Sequence, residues 1–417
     1  MKILKGTIVA APALGELAIY ERGALLLDDA GRILAVEKEV PANVDAEVID
    51  YGDKLILQSF ADLHLHGPQY PMLGMGMDLP LMDWLSTYTF KTEARFADVD
   101  YARRVYRKLA RELIALGTTR VCMFSSLHTD ATLVLMEELE RAGVTGYVGK
   151  VSMDRNGAPE LEETTEEAKS ELLRWLDGCG QFRFIKPILT PRFTPSCTDE
   201  LMAWLGALAG ERGLYVQSHL SENKAEIEFV RALHPDCERY WQTYHKYGLW
   251  KDHTIMAHCV HTDEADWQAL REHNVVVAHC ADSNTNLCSG IAPVRDMLDH
   301  GVWVALGSDI AGGAQLAMNE VITTSIRASK HKSIETGKAF LTVPEGYYLG
   351  TSAGARYFGA HDGFAVGDML HAIVVDDSGM TPPAQPLSPA QRLERALYRM
   401  EKENIIAVWS EGRNVTV

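Results

Sequence analysis

Seven cysteines occur in this chain of 417 residues, and no two of them stand in C-x-x-C spacing. An odd number without close pairs argues against a disulfide framework and for reduced thiols in a cytoplasmic compartment. The P-C-x-x-C signature of the smaller zinc nucleobase deaminases is missing too. No stretch is long and apolar enough to span a bilayer. The opening MKILKGTIVAAPALGELAIY is interrupted by Lys5, Gly6, Pro12, Gly15 and Glu16, so it reads as a strand and loop and not as a signal segment. Cations are also short: 40 Lys and Arg stand against 57 Asp and Glu, for a net charge of −17. Phosphate-binding surfaces need clustered Lys and Arg, so neither nucleic acid nor a membrane is an expected partner. No G-x-G-x-x-G follows the first buried strand, which counts against a dinucleotide fold.

What is present is a rhythm. Residues 1–57 read as short strands, with a hairpin in GALLLDDAGRILAVEKEV turning at Asp28 to Gly31. From residue 58 onward, apolar β-rich segments recur: LILQSFADLHLH, TTRVCMF, GYVGKVSM, FRFIKPIL, LYVQSHL, HTIMAHC, NVVVAHC and VWVALGSD. Helical patterns fill the gaps. YARRVYRKLARELIALG is one, closing at Gly117; TDELMAWLGALAGERG is another, with Thr198 as its N-cap. Eight strands alternating with helices predict an α/β fold, a (β/α)8 TIM-like barrel over residues 58–360. The long gap after the first strand, PMLGMGMDLPLMDWLSTYTFKTEARF, reads as a loop and helix covering the mouth. Strand character returns after residue 360 around one helix, whose start at Ser388, Pro389 and Gln391 is a capping box. Residues 1–57 and 361–417 are therefore expected to form a small β-sandwich domain beside the barrel.

The chemistry-bearing residues fall at the C-terminal ends of these strands, where such barrels place their active sites. His64 and His66 sit two apart on the first strand and so share a face. Among 15 histidines an H-x-H pair arises easily by chance, so its weight depends on further ligands. His219 ends the fifth strand, His258 the sixth and Asp309 the eighth. Three histidines and an aspartate from the first, fifth and eighth strands suit a metal that keeps one position for water. Zinc (Zn2+), one per chain, is the default; iron or manganese also fit such donors.

At this point the chain resembles the amidohydrolase superfamily, and within it the guanine deaminase branch. The stretches that carry the resemblance are LHLHGPQY, GKVSMDRN, YTFKTEARF, TPRFTPSC, QSHLSEN, AHC before VHTDE, AHCADSNTNLCSG and LGSDIAGG. H-x-H, H-x-x-E and SD mark the superfamily; HGPQY together with TPRF marks the guanine branch. The sequence departs at Gln58-Ser59, where the family usually has Pro-Gly, at Cys259, where Gly follows the histidine, and at Ser308, where Thr precedes the aspartate. None of these removes a ligand.

The resemblance implies metal-dependent hydrolysis of guanine to xanthine and ammonia by a homodimer. It implies metal ligation by His64, His66, His219 and Asp309, with Asp309 also accepting a proton from water. Glu222 is implied as the group that protonates ring N3 and then serves the leaving amine, and His258 as a contact to water or substrate. Arg192 and Gln69 would read the base, and Phe193 would stack on it. His279 reads as a supporting or packing histidine, and Lys186 as a structural lysine in preference to a carbamylated metal bridge. Siblings acting on another aminopurine, a pterin or a triazine share the scaffold. A non-catalytic scaffold protein would be expected to have lost ligands, and none is lost here.

Overall fold

The computed structural model describes residues 1–42 and 44–417. All eight expected barrel strands are present: β1 (Phe60–His66), β2 (Thr118–Phe124), β3 (Thr145–Gly149), β4 (Ile185–Pro187), β5 (Gln217–Leu220), β6 (Ile255–His258), β7 (Val276–His279) and β8 (Val304–Leu306). They lie in two four-stranded parallel sheets, β1-β2-β3-β4 and β5-β6-β7-β8. Two seams join the sheets. Just beyond β4, Leu189 bridges Val216 in parallel. Beyond β8, the Asp309 amide donates to the His64 carbonyl at 2.8 Å and the His66 amide to the Ile310 carbonyl at 3.1 Å. The ring is thereby closed. Its strands are buried almost throughout, as an all-parallel sheet covered by helices requires.

The helices form where their caps and stripes predict. Helix Val99–Ala115 starts at Asp98, whose side chain accepts from the Asp100 and Tyr101 amides, and the chain turns away at Gly117. Its inner face, Tyr106, Leu109, Leu113 and Ile114, is wholly buried. Helix Asp199–Arg212 is capped by Thr198, and helix Pro389–Arg399 by the Ser388/Gln391 box.

Both chain ends do meet in one β unit. It is a single seven-stranded sheet instead of a sandwich of two. The order runs 413–414, 405–410, 372–375, 47–58, 2–13, 16–27, 33–37. Three of the N-terminal strands are 12 residues long. Register shifts at Gly6/Ile8 and Lys5/Thr7 bend them. One curved sheet can then enclose Leu4, Ile8, Leu25, Ile56, Val374 and Trp409 in a core of its own. The hairpin turn through Asp28 and Gly31 lies where expected.

Gln58 explains one departure from the family pattern. Its Oε1 accepts from the Ala11 amide at 2.8 Å, and its Nε2 donates to Ser352 Oγ at 2.9 Å and to the Gly363 carbonyl at 3.1 Å. Next to it, Ser59 Oγ lies 2.6 Å from Thr119 Oγ1 on β2. A Pro-Gly pair could make neither set of bonds; here side-chain hydrogen bonds rivet the terminal sheet to the barrel. Gln58→Ala should destabilise the protein by at least about 2 kcal/mol, since buried partners are left unpaired. The check is urea unfolding; an unchanged midpoint would contradict this role.

Candidate active site

β1 delivers His64 and His66 on one side, and the ring brings His219, His258 and Asp309 to the same point. His64 Nε2 lies 3.1 Å and His66 Nε2 3.4 Å from Asp309 Oδ1. His66 Nε2 and His219 Nε2 are 3.2 Å apart. Donor atoms at the corners of a tetrahedron with bonds near 2.0–2.1 Å stand about 3.3 Å from one another, so these spacings fit one shared ion. The tautomers agree. His219 Nδ1 donates to the Arg192 carbonyl at 2.5 Å, which leaves its Nε2 lone pair facing the cluster. His64 Nε2 is buried and faces only its neighbours in this cluster, with no well-aligned hydrogen bond to satisfy it, a state that a buried imidazole tolerates poorly unless a ligand occupies it. Burial holds His64, His66 and His219 below the ordinary histidine pKa, so all three are neutral, as metal ligation demands. Burial pushes Asp309 the other way, but the imidazoles around it prevail and keep it ionised.

His64, Cys280 and Asp309 also bring donor atoms together, as do His64, His219 and His258. The Cys280 thiol is pushed well up by burial and by Asp309, Asp62 and Glu222, and it donates to the Ala278 carbonyl at 3.4 Å. His258 stands between two carboxylates, 3.4 Å from Glu222 Oε2 and 3.8 Å from Asp309 Oδ2. Its Nδ1 is held by Asn284 Oδ1 at 2.9 Å. Burial lowers its pKa, Glu222 and Asp309 raise it, and the balance is upward.

Glu222 follows β5 and is buried. Its amide and that of Asn223 donate to the Glu226 carboxylate at 2.9 and 3.1 Å, so the cap of helix Lys224–Leu233 pins the backbone. Ser289 Oγ donates to Glu222 Oε1 at 3.2 Å. Burial pushes Glu222 up to about 7, with Asp309 and Glu226 adding to the shift and His258 opposing it. A carboxyl that titrates near neutrality can both give and take a proton.

His66, Gln69, Arg192, Phe193, His219, Glu222, His258 and Asp309 all line one pocket. His64 lies beneath it, fully buried. Leu81, Trp84, Leu85 and Leu287 form the apolar wall; the first three come from the segment expected to cover the mouth. His279 is buried, with its pKa lowered by burial to about 4, and Lys186 is exposed on β4; neither lines the pocket.

Four supporting residues escaped the sequence reading. Asp62 accepts from the Ser308 amide at 3.0 Å, from Ser308 Oγ at 2.5 Å and from the His64 amide at 3.2 Å, which gives the serine before Asp309 its function. Asn284 and Ser289 hold His258 and Glu222. Glu93, in the helical turn Phe90–Ala94, accepts from Arg192 Nη1 at 2.5 Å, from Nη2 at 3.1 Å and from Gln69 Nε2 at 2.9 Å. The quoted AHCADSNTNLCSG and YTFKTEARF contain Asn284, Ser289 and Glu93; nothing in their spacing says which strand end they reach.

A closed parallel α/β ring with a histidine and aspartate cluster at its C-terminal rim, beside a buried carboxyl, defines a metal-dependent hydrolase site. The chain belongs to the amidohydrolase family, whose profile matches residues 55–415. Its relatives are more particular: the guanine deaminase of Dictyostelium discoideum is 36% identical over 90% of this chain and 89% of its own. The guanine deaminase from C. acetobutylicum, solved with guanine bound in the active site, is 38% identical, with a TM-score of 0.96 over 99% of both chains. An adenosine deaminase from Xanthomonas campestris, solved with bound zinc, shares the fold at 22% identity, with a TM-score of 0.85 over 99% of this chain and 92% of its own.

Gly307, just after β8, is required by close approach. A Cβ there would stand 2.8 Å from His64 Cβ and 3.0 Å from the His64 carbonyl oxygen. Gly307→Ala should move His64 and weaken metal binding by about 10–100-fold, the range seen when a ligand's support is disturbed. Chelator competition measures it; parent-like affinity would show that the approach is not needed.

Proposed function

We propose that this protein catalyses the hydrolytic deamination of guanine to xanthine and ammonia. The observation that carries the reading is that Gln69 and Arg192 line the same pocket as the His66/His219/Asp309 cluster and Glu222. One wall can read a base edge while the other does hydrolytic chemistry. Guanine offers O6 and N7 as acceptors and N1–H as a donor. Arg192 donates through its planar fork, and Gln69 donates and accepts. The charge balance of the pocket favours a neutral ring. Arg192 is its only arginine or lysine and is already neutralised by Glu93, while Glu222, Glu226 and Asp309 are acidic. A phosphate-bearing nucleotide would meet no free cation. Phe193 offers a face to the base, and the apolar wall of Leu81, Trp84 and Leu85 excludes water.

His64, His66, His219 and Asp309 would hold the metal, with zinc the default and iron or manganese compatible with the same donors. When bound, it supplies a Lewis acid and lowers the pKa of water. The protein's own groups manage the protons. As water adds to C2, Asp309 takes one of its protons and Glu222 gives one to ring N3. The second water proton reaches the 2-amino group by way of Glu222, the C2–N bond breaks, and ammonia leaves. The proton left on Asp309 then passes to Glu222, with His258 between the two carboxyls, so that Glu222 is again protonated, Asp309 again ionised, and the two protons of water are accounted for by N3–H and by the ammonia. His258, between those carboxyls, orients the water. The division into residues 1–57 and 361–417 as a β unit and 58–360 as the catalytic barrel belongs to this proposal, as does a cytoplasmic homodimer.

Mixing the protein with guanine should release ammonia and produce the ultraviolet change to xanthine. Adenine, which has an amino group at C6 and none at C2, should be rejected by about 10⁴-fold or more, because the buried donors lose their partner. Efficient deamination of adenine would sink the assignment. Glu222→Gln should keep its metal and its melting temperature while kcat falls by about 10²–10⁴-fold; near-parent turnover would remove Glu222 from the proton path.

A further inference from the structure

Glu93 is only 2% exposed and does not line the pocket, yet it holds both groups assigned to the base edge. A carboxylate that merely neutralised Arg192 would need that one partner. This one grips the guanidinium with both oxygens and also accepts from Gln69 Nε2. The other end of the Gln69 amide is committed as well: its Oε1 accepts from the Ala311 amide at 3.1 Å. An acceptor on one side and a donor on the other leave the amide a single orientation, because a flip would set oxygen against carboxylate and NH2 against N–H. Arg192 is restrained further by the Phe90 ring from the same helical turn, 5.4 Å from its Cζ. What remains free is definite. Gln69 keeps one N–H and one lone pair, and the guanidinium keeps its N–H groups not spent on Glu93. That set matches adjacent O6 and N1–H on a purine.

We propose that Glu93 is the positioning and specificity-determining residue for the base edge. It never touches the substrate; it acts by fixing the donor and acceptor directions of Gln69 and Arg192. The proposal rests on the guanine deaminase reading above. It predicts a selective defect. 2-Aminopurine carries the reacting C2 amine but neither O6 nor N1–H, so the parent turns it over far more slowly than guanine, and the turnover it has makes no use of that edge.

The experiment compares kcat/KM for guanine and for 2-aminopurine in the metal-loaded parent, Glu93→Gln and Glu93→Asp, with metal content and melting temperature measured alongside. In Glu93→Gln, guanine should lose at least about 100-fold and 2-aminopurine less than about tenfold, with metal content unchanged. Glu93→Asp keeps the charge but is too short to reach both partners. It should lower the guanine to 2-aminopurine ratio by a smaller factor, and it carries the test if the glutamine variant does not fold. Equal losses on both substrates would show a merely structural role and overturn the proposal, as would unchanged guanine kinetics. A parent that fails to turn over guanine would instead overturn the functional reading on which the proposal rests.

Discussion

The hydrogen bond from the Asp309 amide to the His64 carbonyl, 2.8 Å long, is the contact on which the rest depends. It closes the strand ring between β8 and β1, and it sets two candidate ligands side by side. Asp62 reinforces the seam by gripping both Ser308 and the His64 amide. Gly307 lets the backbones approach. Fold closure and site assembly are therefore one event. A sequence that failed to close the ring would also scatter the imidazoles.

Backbone strain gathers at the same rim. Ser221, His258, Cys259 and Asp309 all adopt positive φ, between 49° and 75°. Such conformations cost roughly 1–3 kcal/mol each in residues other than glycine, and they persist where surroundings over-determine them. Here the surroundings do. Glu226 fixes the chain after Ser221, Asn284 fixes His258, and Asp309 is held by the His64 carbonyl and, through its own carbonyl, by the Gly313 amide. Each of these residues lies at or just beyond the C-terminal end of a strand. Cys259, where the family usually has glycine, takes φ 50°, a conformation glycine would adopt without strain.

Strand placement and the ligand candidates were legible in sequence because both rest on short-range rules. Buried parallel strands read as apolar runs, and His64 and His66 share a face by the period of two. His219, His258 and Asp309 were found because the end of an apolar strand run can be read along the chain, although β5 runs one residue past His219 and Asp309 lies three residues past β8. The same logic placed the Thr198 and Ser388 caps. The terminal β unit was legible as strands but not as one curved sheet, since bulges such as that at Gly6/Ile8 leave no local mark. Glu93, Asp62, Ser289 and Asn284 were illegible for a different reason. Each is a polar residue whose partner is brought to it only by ring closure: Glu93 meets Arg192 across 99 residues and Asp62 meets Ser308 across 246. Nothing nearby in sequence distinguishes them from solvated or capping side chains. The candidate groups that face the pocket are legible in the sequence pattern, and the polar residues that hold them are brought there by the fold.

The mononuclear site proposed for this protein uses nitrogen and oxygen donors alone, from His64, His66, His219 and Asp309. X-ray absorption at the metal edge tests it most directly. One metal per chain is expected, with a shell of nitrogen and oxygen scatterers at about 2.0–2.2 Å, imidazole outer-shell features and no metal neighbour. A sulfur scatterer at about 2.3 Å would bring Cys280 into the site, and a second metal would replace the mononuclear cluster; either result would contradict this ligand set.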